Sequence, residues 1–75
     1  MGEQIQSIGR VSARKYGFVD EVNQKFYNAW VPFCKINDTM VAFWENGDLV
    51  KCENKQEAIK YAQQGKRELK ERLEL

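Results

Sequence analysis

The stretch from Lys25 to Asp48, KFYNAWVPFCKINDTMVAFWENGD, decides the fold. It is rich in aromatic and β-branched residues, which favour strands. Two turn signals divide it. They are Asn37-Asp38 and Asn46-Gly47, and the second accepts the positive φ values of a type I′ hairpin turn. The strands that these turns predict lie near 25–36, 39–45 and 48–53.

The segment before Lys25 contains signals for two more strands. Gly17 follows Arg14-Lys15-Tyr16 and is expected to take the left-handed conformation that closes a short hairpin loop. A weaker turn signal follows at Asn23-Gln24. The two strands predicted here lie near 5–14 and 17–22. Since successive hairpins connect neighbouring strands, we expect an antiparallel meander of four to five strands.

Pro32 conflicts with a flat meander, because it lies inside the longest predicted strand and cannot donate a hydrogen bond to a neighbouring strand. We expect the strand to bend at Pro32, so that 25–31 pairs with the preceding strand and 33–36 with the following one. Such a bend predicts a curled sheet.

The composition changes near Asn54, where helix-forming residues replace the aromatic ones. Asn54 is a candidate N-cap, and Glu57 completes a capping-box pattern with it. The predicted helix covers about residues 55–73. Gly65 leaves two alternatives open, since it either ends the packed part of the helix or is tolerated inside a longer one.

The predicted fold is therefore α+β: a curled antiparallel meander followed by one C-terminal helix. Ala58, Ile59 and Ala62 form the narrow apolar stripe by which that helix is expected to pack on the sheet. A chain of 75 residues predicts a single domain over 1–75, with the sheet over about 5–53.

Several chemistries are disfavoured by composition. The chain contains no histidine and no phosphate-binding glycine motif, so we expect neither an enzyme nor a metal or cofactor site. The two cysteines lack metal-ligand or redox spacing and are expected to pack as small hydrophobic residues. With no signal peptide and no apolar run of membrane-spanning length, the predicted location is cytoplasmic, with no membrane partner. No small-molecule substrate is evident either.

The aromatic residues are the main functional signal, because alternation makes both faces of the predicted sheet apolar. One narrow helix covers only part of one face. Curling buries the remainder, or a partner covers it. Our first hypothesis is a non-catalytic interaction module that forms a homodimer or binds another protein. Its expected interface residues are Tyr27, Trp30, Phe33 and Trp44 on the sheet, and Leu69 and Leu73 on the helix.

The alternative hypothesis is binding of single-stranded DNA or RNA. Basic and aromatic residues alternate along the early strands, and single-strand binding needs both charge for the phosphates and ring faces for the bases. The net charge of only +1 gives no general attraction to nucleic acid, so any attraction must come from local arrangement. The residues expected to bind are Arg10, Arg14, Lys15, Tyr16, Phe18 and Lys25.

Overall fold

The computed structural model describes residues 4–73, and the two ends of the predicted 1–75 domain lie outside that range. Within this range, five strands precede one helix. Their bounds are β1 Ile8–Asp20, β2 Lys25–Ile36, β3 Thr39–Ala42, β4 Trp44–Glu45, β5 Asp48–Leu49 and α1 Lys55–Leu73. The first three strands form one antiparallel sheet in the order β1-β2-β3, and β4 and β5 form a second two-stranded sheet. The predicted α+β class, with one C-terminal helix packed on an antiparallel sheet, is confirmed.

The predicted hairpin at Gly17 is wrong. β1 is one continuous strand in which Gly17 lies opposite Asn28, and Gly47 is the glycine with positive φ within residues 4–73. The chain reverses later, over residues 21–24. Asp20 fixes that turn, because its carboxylate accepts hydrogen bonds from the backbone N–H groups of Val22 at 3.1 Å and Asn23 at 3.3 Å.

Two predicted turns, the type I′ turn at Asn46-Gly47 and the tight turn at Asn37-Asp38, agree with the backbone geometry. Asn46 and Gly47 have φ values of 53° and 81°, and Asn37 and Asp38 have φ values of 49° and 66°. Both pairs therefore have the two positive φ values that a tight hairpin turn requires.

The prediction at Pro32 is half right. Residues 33–36 do pair forward, with β3, but β2 also pairs with β1 along its whole length, including Pro32 opposite Ala13. The missing N–H of Pro32 faces β3, not β1. The carbonyl of Pro32 accepts a hydrogen bond from Phe43 N–H at 3.1 Å, while the carbonyl of Phe43 accepts one from Val50 N–H at 3.1 Å. Pro32 thus ends the β2–β3 pairing and leaves Phe43 free to bond to the chain returning from β5.

The helix begins at its predicted cap. Asn54 Oδ1 accepts a hydrogen bond from Glu57 N–H at 2.9 Å. Gly65 lies inside α1, which continues to Leu73. Small residues form the packed ridge, since Ala58 and Ala62 are fully buried. An added Cβ on Gly65 would overlap the ring of Phe43, so the helix approaches the sheet closely at this glycine.

Candidate nucleic-acid interface

The register of the β1–β2 hairpin determines which side chains lie on each of its two faces. Arg14 pairs with Val31, Tyr16 with Ala29 and Phe18 with Tyr27, so these side chains share one face with Phe33. We call this the aromatic face. The other face, the helix face, contains Pro32 and Cys34, and α1 packs on β1 and β2. Burial raises the pKa of the Cys34 thiol, and the nearby charges of Lys66 and Lys70 on α1 partly oppose that rise.

Four rings of the aromatic face form two pairs. Phe18 and Tyr27 are stacked, with centroids 5.6 Å apart and an angle of 26° between ring planes. Tyr16 and Phe33 lie 6.2 Å apart at 44°. Tyr16 and Tyr27 are each 41% exposed, so both pairs present ring surface to solvent.

Small apolar residues lie beneath these rings. Ala29 is 6% exposed and Val31 is fully buried, although both belong to the face that has no helix. The rings contribute to this burial, because Tyr16 lies directly across from Ala29 and Phe33 lies two residues along from Val31. The rings of the aromatic face are therefore also part of the cover of this region of the core.

Each ring pair has a cation beside it. The guanidinium carbon of Arg14 lies 5.6 Å from the centroid of Phe33, and Nζ of Lys51 lies 5.1 Å from the centroid of Phe18. Both distances are within the range of cation–π attraction. The aromatic face thus alternates ring surface with positive charge.

Asp48 holds Lys51 in this position. Nζ of Lys51 donates a hydrogen bond to Oδ2 of Asp48 at 3.1 Å. That bond raises the pKa of Lys51, with a smaller contribution from Tyr27, and lowers the pKa of Asp48. The carboxylate is 73% exposed, so it positions the ammonium group without enclosing it. The Lys51 side chain is itself 27% exposed.

The nucleic-acid residues predicted from the sequence are partly brought together. Arg14, Tyr16 and Phe18 share the aromatic face, and Lys25 joins it at the turn, opposite Asp20. Lys15 does not, because it lies opposite Trp30 on the helix face.

Arg10 is exposed, and it lies in the segment between Ile8 and Val11 where the strand register shifts. The register therefore assigns it to neither face.

The predicted protein-interface residues are spread over several surfaces. Tyr27 and Phe33 belong to the aromatic face, whereas Trp30 belongs to the helix face. Trp44 is 62% exposed and lines a cavity of about 430 Å³ beside α1.

The two predicted helix residues lie in the last turns of α1. Leu69 is half-buried, and Leu73 is 39% exposed. These two leucines and the aromatic face are therefore separate surfaces.

Sequence reasoning missed Lys51. Its place beside Phe18 depends on the chain after β5 returning to β2, where Trp30 and Cys52 exchange two backbone hydrogen bonds of 2.8 Å. Nothing local to Lys51 predicts that long-range pairing. Lys51 could have been assigned to this face only if the strand order had been known to place residues 48–53 beside residues 25–31.

No protein-family model, curated protein or solved structure matches this chain. The geometry of the chain itself is therefore the basis on which a function can be inferred. Among residues 4–73, no group of three metal-ligand side chains could hold a metal ion. The same range contains no helix with the length and apolar character needed to cross a bilayer.

Proposed function

We propose that this protein binds single-stranded nucleic acid through the aromatic face. The observation that carries the proposal is the pairing of exposed rings with cations, with Arg14 at 5.6 Å from Phe33 and Lys51 at 5.1 Å from Phe18. Single-strand binding surfaces combine these two elements, since the rings stack on bases and the cations contact phosphates.

Unpaired bases fit the rings better than a duplex does. Tyr16 and Tyr27 present ring surface on two neighbouring strands, and a base can stack on that surface only when its own face is not covered by neighbouring base pairs. Stacking does not distinguish one base from another strongly, so we expect weak sequence preference. The net charge of +1 means that affinity depends on the local cations and falls as salt rises.

The role proposed is non-catalytic, in the cytoplasm, with no cofactor. Binding by stacking and charge needs no general base and no metal, which agrees with a chain that contains no histidine. The cytoplasmic location stays a prediction, and cell fractionation tests it.

Fluorescence anisotropy with labelled oligonucleotides tests the proposal. The central comparison is Arg14→Gln against Lys15→Gln, because both remove one positive charge from adjacent residues on opposite faces. We expect Arg14→Gln to weaken binding several-fold and Lys15→Gln to leave it nearly unchanged. Equal losses for the two variants would show that only total charge matters and would overturn the assignment of the face.

A second pair of variants tests stacking. Tyr27→Leu keeps an apolar cover over the core but removes a stacking surface, and Trp44→Leu removes a ring that is more exposed, at 62% against 41%, but lies away from the aromatic face. Stacking contributes about 1–3 kcal/mol per base, so Tyr27→Leu should weaken binding by about 5- to 150-fold. Trp44→Leu should bind like the wild type. Absence of binding by the wild type at low salt would end the proposal.

Self-association is the second candidate, and the protein partner predicted from the sequence belongs with it. The observation that favours it is uncovered apolar surface on the helix face near the turn end of the hairpin. Phe26 is 86% exposed and Val19, directly opposite it, is 54% exposed. Exposed apolar pairs of this kind are typical of contact surfaces. Sedimentation velocity at micromolar concentration tests this candidate.

A further inference from the structure

The outer edge of β1 has unpaired backbone groups. Trp30 N–H and C=O both bond to Cys52, on the side of β2 away from β1. The backbone N–H and C=O groups of successive residues point to opposite sides of a strand. Those of Ala29 and Val31 therefore point toward β1, where their partners are Tyr16 and Arg14. The N–H and C=O groups of the intervening β1 residues therefore point outward. Within residues 4–73 no backbone partner meets them. These residues are Ala13, Lys15, Gly17 and Val19.

This edge has some of the features that oppose strand pairing, namely charged side chains such as Lys15 and a register shift between Ile8 and Val11, but it lacks others. β1 is 13 residues long, it contains no proline, and its register is regular from Val11 to Asp20. Gly17 is exposed, so no side chain shields the middle of the edge. The unpaired groups of a long, regular edge strand form a template on which a further strand can pair.

We propose that the strand bound at this edge is β1 of a second copy, paired antiparallel about a two-fold axis perpendicular to the sheet. The proposal rests on the self-association candidate and states its geometry. Such an axis places both helices on one side of a continuous six-stranded sheet and both aromatic faces on the other.

Charge selects the register. An axis through Arg14 or Lys15 would place two identical charges directly opposite each other, which is destabilising. An axis through Gly17 shortens the paired segment, because β1 ends at Asp20. An axis through Tyr16 avoids both problems, and it pairs Ala13 with Val19 and Lys15 with Gly17 of the partner subunit.

The register with its axis through Tyr16 would also cover apolar surface that is exposed in a single subunit. α1 packs on β1 and β2 and leaves Val19 and Phe26 uncovered at the turn end. Placing Val19 opposite Ala13 of the partner subunit brings it beside the partner's helix. On the opposite side of the sheet, Arg14 lies across from Phe18 of the partner subunit, so rings and cations continue across the interface.

Amide hydrogen exchange on the wild-type protein at tens of micromolar tests the inference directly. We expect slow exchange at Ala13, Lys15, Gly17 and Val19. Asn28 is the internal reference, because its N–H points to the other edge of β2 beyond the Trp30–Cys52 bridge. A dimer in which the four β1 amides exchange as fast as that of Asn28 keeps self-association and overturns the edge pairing. A monomer overturns both.

Gly17→Pro and Gly17→Ala form a matched pair for sedimentation velocity. Proline removes an outward N–H without breaking the β1–β2 ladder, whereas alanine keeps it, and its Cβ would meet only Asn28 Oδ1 at 3.7 Å. We expect the dissociation constant to rise by about tenfold with proline, since two hydrogen bonds are lost, one from each subunit, and to stay unchanged with alanine. A proline variant that dimerises normally overturns the inference. If it does not fold, the amide exchange decides alone. Oligonucleotide binding by the proline variant shows separately whether the nucleic-acid proposal holds.

Discussion

Gly65 in the middle of α1 lies directly against the ring of Phe43. A Cβ built on Gly65 would overlap Cε1 of that ring and stand 3.0 Å from Cζ. The ring also packs edge-on against Tyr61, with centroids 5.6 Å apart. Glycine here permits a close approach of the helix to the sheet, at a cost in helix propensity of about 1 kcal/mol.

Gly65→Ala is therefore expected to destabilise the protein despite alanine's better helix propensity. Overpacking of this kind costs about 1–3 kcal/mol, which exceeds the propensity gain. Thermal unfolding measures the change, and Gln64→Ala, on the exposed neighbour, is the control that should be neutral or slightly stabilising. Adding Phe43→Leu should recover part of the loss in a double-mutant cycle. A Gly65→Ala protein more stable than the wild type would contradict the close contact.

Pro32→Ala is expected to lower stability, although it removes a residue that is rare inside sheets. Pro32 is buried, and the new N–H would face Phe43, whose carbonyl already accepts a bond from Val50. A buried N–H without a full partner costs about 1–3 kcal/mol. Urea denaturation measures the loss, with Ala42→Gly as a reference for a simple change on the neighbouring strand. A stabilised variant would show that Pro32 is not what ends the β2–β3 pairing.

Asp20 should make stability depend on pH in the acid range. Hydrogen bonds, chiefly from the Asn23 side chain at 2.9 Å, lower the pKa of Asp20. A lowered folded-state pKa contributes stability above the unfolded value, and that contribution is lost as pH falls through the folded value. Thermal unfolding between neutral pH and about pH 2 should show this loss, because aspartate normally titrates at about 3.9. Asp20→Ala should be less stable at pH 7 and show a shallower decline. An unchanged acid profile would mean that the carboxylate does not hold the turn.

Local chemistry decided which parts of the fold were predictable. Asn46-Gly47 was identified correctly because few residues tolerate two successive positive φ values. Asn54 was identified for a similar reason, since capping involves only neighbours in sequence. Gly17 was misread because a glycine inside a strand resembles a glycine in a turn. Its pairing with Asn28 distinguishes the two, and that pairing is not local.

The candidate site was predictable only where it depends on one strand. Alternation along β1 correctly places Arg14, Tyr16 and Phe18 together. Lys51 required knowledge of which strand lies beside Trp30, and the turn signals give neighbours along the chain, not neighbours across the sheet. Whether the aromatic face and the β1 edge bind nucleic acid and a second copy stays a prediction.

The burial of Val31 beneath rings that no helix covers has a consequence for how a ligand would act. A strand of nucleotides lying on Tyr16 and Tyr27 would form a third layer over a fold that otherwise has two. Its bases would shield from water the same side chains that shield the core. Binding would then stabilise the folded protein, so the melting temperature should rise with the fraction of molecules whose aromatic face is occupied.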